Sequence, residues 1–220
     1  MTNSIIFDLD GVLVDTAKYH YLAWKRLANE LGFYFSEADN ERLKGVSRMD
    51  SLEILLETGG LTDFRADDKR AMAQRKNGWY VEFISRMTPN EILPGVLDFL
   101  HEVRAAGVKI ALGSASRNSA MILGRVGITH FFDVIIDGNK IDYAKPHPQV
   151  FLLGAEELGV DTSQCIVFED AVAGIEAAIS AGMRSVGVGN PAVLHRADLV
   201  IPGFEGVTWE GLLGLMEINR

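Results

Sequence analysis

The sequence is poor in cysteine, and this excludes several kinds of structure and site. Cys165 is the only cysteine among the 220 residues, so the chain cannot form an intramolecular disulfide and has no cluster of cysteines that could bind a metal. Because Cys165 stands in the apolar run Cys165-Ile166-Val167-Phe168, we predict a buried thiol rather than a reactive one.

Positive charge is also scarce, and long apolar runs are absent. The 21 lysines and arginines are outnumbered by 30 aspartates and glutamates, which gives a formal net charge of -9 at pH 7. This excess of negative charge disfavours a nucleic acid or an anionic membrane as a partner. No apolar run approaches membrane-spanning length, and the first residues lack the features of a signal peptide. We therefore expect a cytoplasmic protein that binds neither nucleic acid nor membrane.

The chain does have enough apolar residues for one sizeable core. Hydrophobic residues make up 48% of the sequence, which suits one large domain or a domain with a small insert. The apolar spacing predicts a buried strand at 5–7 and mostly helices over 16–88, including a long helix from Ala66 to Met87. From Pro94 onward, predicted strands alternate with helices, as is typical of a parallel sheet covered on both faces. These strands are predicted at 108–113, 133–136, 166–168, 185–188 and 199–201.

The simplest assembly of these segments is an α/β fold with a doubly wound, Rossmann-like parallel sheet. In this assembly the first strand joins the sheet of the second half, and the helical block is an insertion. We therefore expect a core domain of residues 1–15 and 90–220 and a helical cap of residues 16–89 over the strand ends. A cap on two linkers could close over a substrate and expel water.

Two aspartates, Asp8 and Asp10, follow the first predicted strand. On an extended chain, side chains two residues apart point the same way, and ligands of open α/β sheets bind at the carboxyl ends of strands. Two neighbouring carboxylates repel unless a cation neutralises them or one is protonated. The pattern favours a hard cation such as Mg2+ that shares a substrate phosphate. The alternative is a strand end with two solvated aspartates.

Three further polar motifs follow predicted strands or loops of the second half. Ser114 opens a helix and could hold a phosphate, or simply cap that helix. Lys145, before Pro146, could offset negative charge, or be a solvated surface residue. Glu169 and Asp170 could bind a metal, or stabilise a helix N-terminus.

Together, and in this order, the four motifs resemble the signature of the haloacid dehalogenase (HAD) superfamily of phosphotransferases. The resemblance covers essentially the whole chain and implies an α/β core with an inserted helical cap. It implies that Asp8 is the nucleophile that takes up the phosphoryl group and that Asp10 is the general acid/base. It further implies that Ser114 binds the transferring phosphoryl group and that Lys145 offsets its charge.

The same resemblance implies a magnesium site. Its ligands would be Asp8, Glu169, Asp170 and the main-chain carbonyl of Asp10, with water and phosphate completing a shell of oxygens.

The predicted cap carries residues that narrow the resemblance. Arg48, in the segment Lys44-Gly45-Val46-Ser47-Arg48, could clamp a phosphate with two hydrogen bonds, although the segment could also be an ordinary basic loop. His20 follows Thr16 by one helical turn, and Lys76 lies in the long predicted helix. For His20 and Lys76 alone, a solvated helix face is the alternative.

This combination resembles the β-phosphoglucomutase family within the superfamily. The resemblance implies interconversion of β-glucose 1-phosphate and glucose 6-phosphate through bound β-glucose 1,6-bisphosphate. Arg48 would hold the phosphate that is not being transferred, and His20 and Lys76 would link sugar contact to cap closure. One departure is Arg117, where the family pattern favours lysine. The implied substrate-binding residues are Thr16, His20, Lys44, Gly45, Val46, Arg48, Lys76, Ser116, Arg117 and Asn118.

Two other functions stay open. A Mg2+-dependent sugar-phosphate phosphatase would use the same core motifs with water as the acceptor. A non-catalytic phosphoacceptor, as in receiver-type response regulators, would also place acids and a lysine at strand ends, but it would need neither the cap nor Asp10. In each case the expected partner is a small molecule, and we expect a monomer.

Overall fold

The computed structural model describes residues 4–43 and 46–218. Its six strands form one parallel sheet in the order β3-β2-β1-β4-β5-β6. The strands are β1 (Ser4–Phe7), β2 (Lys109–Gly113), β3 (Val134–Ile136), β4 (Cys165–Glu169), β5 (Arg184–Val188) and β6 (Leu199–Ile201). The chain builds outward from β1 in one direction and then from β4 in the other, which is the doubly wound arrangement.

Helices cover both faces of this sheet because successive strand residues point to opposite sides. The covering helices are α5 (Val96–Ala105), α6 (Ser119–Val126), α7 (Gln149–Leu158), α8 (Val172–Ser180) and α9 (Trp209–Ile218). In β1, Ile5 and Phe7 pack into one apolar cluster with α5, α6 and α9, whereas Ile6 packs into another with α7 and α8. Strands buried on both faces explain the continuous apolar runs in the sequence.

The segment between β1 and α5 is helical. It contains α1 (Ala17–Glu30), α2 (Glu37–Glu41), α3 (Arg48–Thr58) and α4 (Ala66–Ile84). Helix α4 packs against both α1 and α3, and it buries Tyr80 and Ile84 with Trp24 and Leu27 of α1. No helix among the described residues is both long and apolar enough to cross a membrane.

The two chain segments that join these helices to the sheet are hydrogen-bonded to each other. The N–H of Asp15 donates to the carbonyl of Glu91 at 3.1 Å, and the N–H of Leu93 donates to the carbonyl of Leu13 at 3.0 Å. Both connections therefore leave the sheet side by side, just beyond the carboxyl end of β1.

The structure confirms the predicted α/β class and all six predicted strands, whose ends differ from the prediction by one residue at most. The predicted buried thiol is also confirmed, because Cys165 is fully buried. The long predicted helix from Ala66 ends at Ile84 instead of Met87. Short 3-10 helices at Pro89–Glu91, Thr129–Phe131 and Thr162–Gln164 were not predicted, since a single turn has too little periodicity to be recognised.

An aromatic cluster fixes β1 in the centre of the sheet. The ring of Phe7 stacks on Phe168 of β4 at a centroid distance of 4.9 Å, and it also contacts Phe99 of α5 and Phe204. All four rings are at most 2% exposed. This cluster anchors the strand that presents Asp8 and Asp10.

The first prediction concerns this cluster. We expect Phe7→Ala to lower the free energy of unfolding by about 3–5 kcal/mol, because it removes a buried ring and leaves a cavity. Chemical denaturation followed by circular dichroism measures this loss. The control is Leu215→Ala, whose side chain is half exposed and should change stability by less than about 0.5 kcal/mol. Equal losses in the two variants would show that the cluster does not anchor β1.

Candidate active site

Three carboxylates meet where β1 and β4 end side by side. The pairing of Phe7 with Phe168 places Asp8, which follows β1, next to Glu169, the last residue of β4. Asp170 comes next in the chain. One oxygen from each of these carboxylates lies within 4.8 Å of the others. Asp8 and Glu169 are 7% and 1% exposed, so their charges need partners inside the protein.

The ammonium of Lys145 is the cation that faces these carboxylates. Its Nζ donates to Asp8 Oδ1 at 2.5 Å and to Glu169 Oε2 at 3.1 Å, and the residue is 4% exposed. Burial alone would lower the pKa of Lys145, but Asp8 and Glu169 outweigh burial and raise the pKa above its usual value. Lys145 therefore stays charged. The alternative of a solvated surface lysine is wrong.

Two glycines make room for the acidic side chains. A Cβ on Gly11, whose φ is +79°, would stand 2.1 Å from Asp170 Oδ2. A Cβ on Gly174 in α8 would stand 2.0 Å from the Glu169 carboxyl group. Any larger residue at either position would displace a carboxylate. Gly174 was not predicted as part of the site, although a glycine inside a helical pattern is a recognisable signal.

The carboxylate cluster fits a hard divalent cation. Burial raises the pKa of Glu169 well above its usual value, and repulsion from Asp8 adds to this effect despite the nearby Lys145. Within the described residues, three carboxylates thus face the one ammonium of Lys145. Carboxylate oxygens converging from three residues are the ligands that Mg2+ and Ca2+ accept.

Asp10 occupies a different environment from Asp8. Its Oδ1 accepts a hydrogen bond from the hydroxyl of Thr16, just before α1. Burial, and then repulsion from Asp8, raises the pKa of Asp10 to about 6. A carboxyl group with such a pKa can give or take a proton near neutral pH. Thr16 itself is fully buried and thus holds Asp10 instead of facing the cleft.

Ser114 follows β2, on the other side of β1 from Glu169. It is 1% exposed, and its hydroxyl accepts a hydrogen bond from the N–H of Ser116 at 3.1 Å. The loop of residues 114–118 then leads into α6. Across the cleft, Asn118 Nδ2 donates to Asn77 Oδ1 of α4 at 3.2 Å. This bond joins the sheet side of the site to the inserted helices.

The residues described above surround a cleft of about 770 Å3 between the sheet and the inserted helices. Of the residues predicted for the site, those lining the cleft are Asp8, Asp10, His20, Val46, Arg48, Lys76, Ser114, Ser116, Arg117, Asn118, Lys145, Glu169 and Asp170. Lys44 and Gly45 lie outside the described residues. Trp24, Asn40 and Asn77 also line the cleft. They were not predicted as site residues, because residues at such positions of a helix usually serve ordinary packing.

Lys76 is buried on the helical side of the cleft. It is 3% exposed, its Nζ lies 3.0 Å from Nδ1 of His20, and its ammonium lies 4.4 Å from the ring centroid of Trp24. Burial, and then the charge of Arg48, lowers the pKa of Lys76 to about 7. Burial and Lys76 likewise lower the pKa of His20, which favours the neutral imidazole. A solvated helix face is therefore wrong for Lys76.

Two arginines define a second positive region of the cleft. Arg48 begins α3, where the side chain of Ser47 caps the helix, and Arg117 belongs to the loop before α6. The pKa of Arg48 is lowered by burial and then by the charge of Arg117, and both residues line the cleft. Two cations that line one cleft favour an anionic ligand.

The fold and this site define an α/β protein with a buried acidic centre between β1 and β4, where the order of the strands in the sheet reverses. A family model described as haloacid dehalogenase-like hydrolase matches residues 2–182. The chain therefore belongs to the haloacid dehalogenase-like hydrolase family.

Individual relatives agree with this assignment. The chain is 43% identical to the β-phosphoglucomutase of Bacillus subtilis (strain 168) over 208 residues, which cover 94% of this chain and 92% of that one. A crystal structure of β-phosphoglucomutase from Clostridium difficile matches with a TM-score of 0.94 and 44% identity, covering all of both chains. The chain is also 32% identical, over 83% of each protein, to a phosphorylated carbohydrates phosphatase of Thermotoga maritima.

The second prediction follows from the buried Lys76. Between its folded pKa of about 7 and its ordinary value of 10.5, the unfolded state binds a proton that the folded state lacks. The burial of Lys76 therefore lowers the free energy of unfolding most below pH 7, and this loss becomes smaller as the pH rises through the range. We expect Lys76→Met to gain stability relative to the unsubstituted protein, by more at pH 6 than at pH 10. Denaturation at both pH values measures this difference, and an equal change at both would contradict it.

Proposed function

We propose that this chain is a β-phosphoglucomutase that interconverts β-glucose 1-phosphate and glucose 6-phosphate through β-glucose 1,6-bisphosphate. The observation that carries the proposal is a single cleft with two separate regions for phosphate. One contains Asp8, Ser114 and Lys145, and the other contains Arg48 and Arg117, which line the same cleft. A bisphosphate needs both regions, whereas a monophosphate substrate of a simple phosphatase needs one. The β-phosphoglucomutases among the relatives support the same conclusion.

In this proposal Asp8 is the nucleophile and Asp10 is the general acid/base. A carboxylate oxygen of Asp8 bonds to phosphorus while the bond from phosphorus to the sugar oxygen breaks, and Asp10 gives its proton to that oxygen. In the reverse direction, Asp10 takes the proton of the sugar hydroxyl that attacks the aspartyl-phosphate. Lys145 offsets the charge of the phosphoryl oxygens, and Ser114 binds them.

We propose that Mg2+ is the cofactor. Asp8, Glu169, Asp170 and the main-chain carbonyl of Asp10 would hold it. When bound, Mg2+ supplies positive charge that offsets the phosphoryl oxygens and the nearby carboxylates. The buried carboxylate oxygens and the space left by Gly11 and Gly174 support this choice of ligands.

We further propose that residues 1–15 and 90–220 are the core domain and that residues 16–89 are a cap that closes on the sugar phosphate. The paired connections at 13–15 and 91–93 support this division, because both could flex together. Thr16, the last residue before α1, bonds to Asp10, so cap movement would also move the general acid/base. Such coupling would delay attack by water until a sugar arrives.

The remaining parts of the proposal concern the setting of the enzyme. Its partner is a small sugar phosphate rather than a nucleic acid or a membrane. We propose that it acts as a monomer in the cytoplasm.

The third prediction tests the function directly. The enzyme is mixed with β-glucose 1-phosphate, Mg2+ and a trace of β-glucose 1,6-bisphosphate, and glucose 6-phosphate and inorganic phosphate are measured in the same sample. A mutase should form far more glucose 6-phosphate than phosphate, and omission of the bisphosphate should slow it. The Thermotoga maritima relative keeps the phosphatase alternative open, and release of phosphate alone would establish that alternative instead.

The fourth prediction concerns the second phosphate region. Arg48→Ala should lower kcat/KM for β-glucose 1-phosphate by about tenfold or more, since a guanidinium–phosphate contact is charge-assisted. It should leave the hydrolysis of a small aryl phosphate nearly unchanged, because such a substrate reaches only the region around Asp8.

The matched control is Arg42→Ala. Arg42 also belongs to the inserted helical segment, but it is exposed and forms an ion pair with Glu57 at 2.8 Å. This variant should keep both activities. If Arg48→Ala lowered both activities equally, Arg48 would be structural.

A further inference from the structure

The loop that carries Arg117 is held from one side by a short turn. This turn, Asp137-Gly138-Asn139, follows the last residue of β3, while the loop of residues 114–118 follows β2, the neighbouring strand. The two strands are in register up to Gly113 and Ile136, and the N–H of Ser114 donates to the carbonyl of Ile136 at 3.0 Å. Beyond that point the regular ladder stops, and other contacts join the two segments.

Two hydrogen bonds run from the turn to the main chain of the loop. The N–H of Gly138 donates to the carbonyl of Ser116 at 3.1 Å. The side-chain Nδ2 of Asn139 donates to the carbonyl of Arg117 at 3.1 Å. Together they fix two consecutive carbonyls of the loop, so the peptide planes on both sides of Arg117 have a defined orientation.

The turn is hydrogen-bonded within itself and lies close to the loop. Asp137 Oδ1 accepts the N–H of Asn139 at 2.9 Å, and Asp137 Oδ2 accepts its Nδ2 at 3.1 Å. A Cβ on Gly138 would lie 2.3 Å from the carbonyl oxygen of Ala115 and 2.9 Å from Cγ of Arg117. Only glycine therefore allows the turn to approach the loop this closely.

Inside the loop, the other hydrogen bonds are short-range. Ser114 Oγ accepts the N–H of Ser116, and Ser116 Oγ accepts the N–H of Asn118. These bonds shape the loop but do not attach it to the sheet. On the opposite side, the Asn118–Asn77 bond ties the loop to α4, which belongs to the segment that we propose to move. The turn at 137–139 thus attaches the loop to the sheet side of the cleft, which does not move in the proposed closure.

We propose that Gly138 and Asn139 are positioning residues for the phosphate that is not being transferred. They fix the main chain around Arg117, which lines the same cleft as Arg48. This inference rests on the proposed function only in taking the Arg48–Arg117 region as the site of the second phosphate. Neither residue touches the reacting atoms, and the side chain of Asn139 bonds to the loop at Arg117, not at Ser114 of the first phosphate region.

The test compares Asn139→Ala with the unsubstituted holoenzyme, with Mg2+ present. Hydrolysis of a small aryl phosphate is measured alone and with increasing glucose 1,6-bisphosphate. Asn139→Ala should raise the apparent inhibition constant of the bisphosphate about three- to tenfold, the effect of losing one neutral hydrogen bond. The kcat and KM for the aryl phosphate should stay the same. Asn139→Asp should have at least as large an effect, since it replaces the donor with an acceptor.

The control for Asn139 is Asn190→Ala, since Asn190 also stabilises an exposed turn, by accepting the N–H of Ala192. It should change neither constant. A second pair of variants is Gly138→Ala and its control, Gly203→Ala. Gly138→Ala should raise the inhibition constant, whereas Gly203→Ala should not, because a Cβ on Gly203 would meet nothing within 4 Å. An unchanged inhibition constant in both Asn139 variants would overturn the proposal. So would an equal loss for bisphosphate and aryl phosphate, which would indicate general damage to the site.

The test separates this inference from the proposed function. Failure of the mutase assignment is visible in the unsubstituted enzyme alone, as release of phosphate without glucose 6-phosphate. The inference on Gly138 and Asn139 is judged only by the change in bisphosphate affinity between variants. It stands or falls in the same way whether the acceptor is a sugar hydroxyl or water.

Discussion

The buried ammonium of Lys145 is the interaction on which the site depends. It holds Asp8 and Glu169 together inside the protein, where an unpaired carboxylate would cost several kcal/mol. The cluster sets three carboxylates against this one ammonium, which fits a divalent cation, and burial, followed by repulsion from Asp8, raises the pKa of the Asp10 carboxyl. A sheet that places two strand ends side by side makes this concentration of charge possible, and the aromatic cluster around Phe7 keeps those strands in register.

The two sides of the cleft supply different functional residues. The sheet side supplies the acidic centre and the loop of residues 114–118, whereas the helical side supplies Arg48, His20 and Lys76. Thr16 with Asp10 and Asn77 with Asn118 are two of the contacts that connect them. In the proposed mechanism, an anion bound by Arg48 and Arg117 would draw the two sides together, so that substrate binding would favour closure.

Much of this arrangement was predictable from the sequence. Apolar runs and helical spacing predicted the sheet and all six strands, because strands buried on both faces leave a strong local signal. Asp8, Ser114 and Glu169 lie at carboxyl ends of parallel strands, which meet at one edge, whereas Lys145 lies in a loop and joined the set through the resemblance of the four motifs to the HAD signature. The burial of Lys76 was not predictable from the sequence, because a lysine on a charged helix gives no local sign of which residues pack over it. Gly138 and Asn139 were missed for a similar reason: their partners are main-chain carbonyls some 20 residues earlier.

The central claim is that Asp8 becomes phosphorylated, and trapping that intermediate tests it most directly. The enzyme is mixed with Mg2+ and β-glucose 1,6-bisphosphate, quenched with borohydride, which reduces an acyl phosphate to an alcohol, and digested for peptide mass spectrometry. We expect reduction at Asp8 and at no other carboxylate, and none in a sample without the bisphosphate. Reduction at another residue, or none in an enzyme that turns over its substrate, would contradict the account.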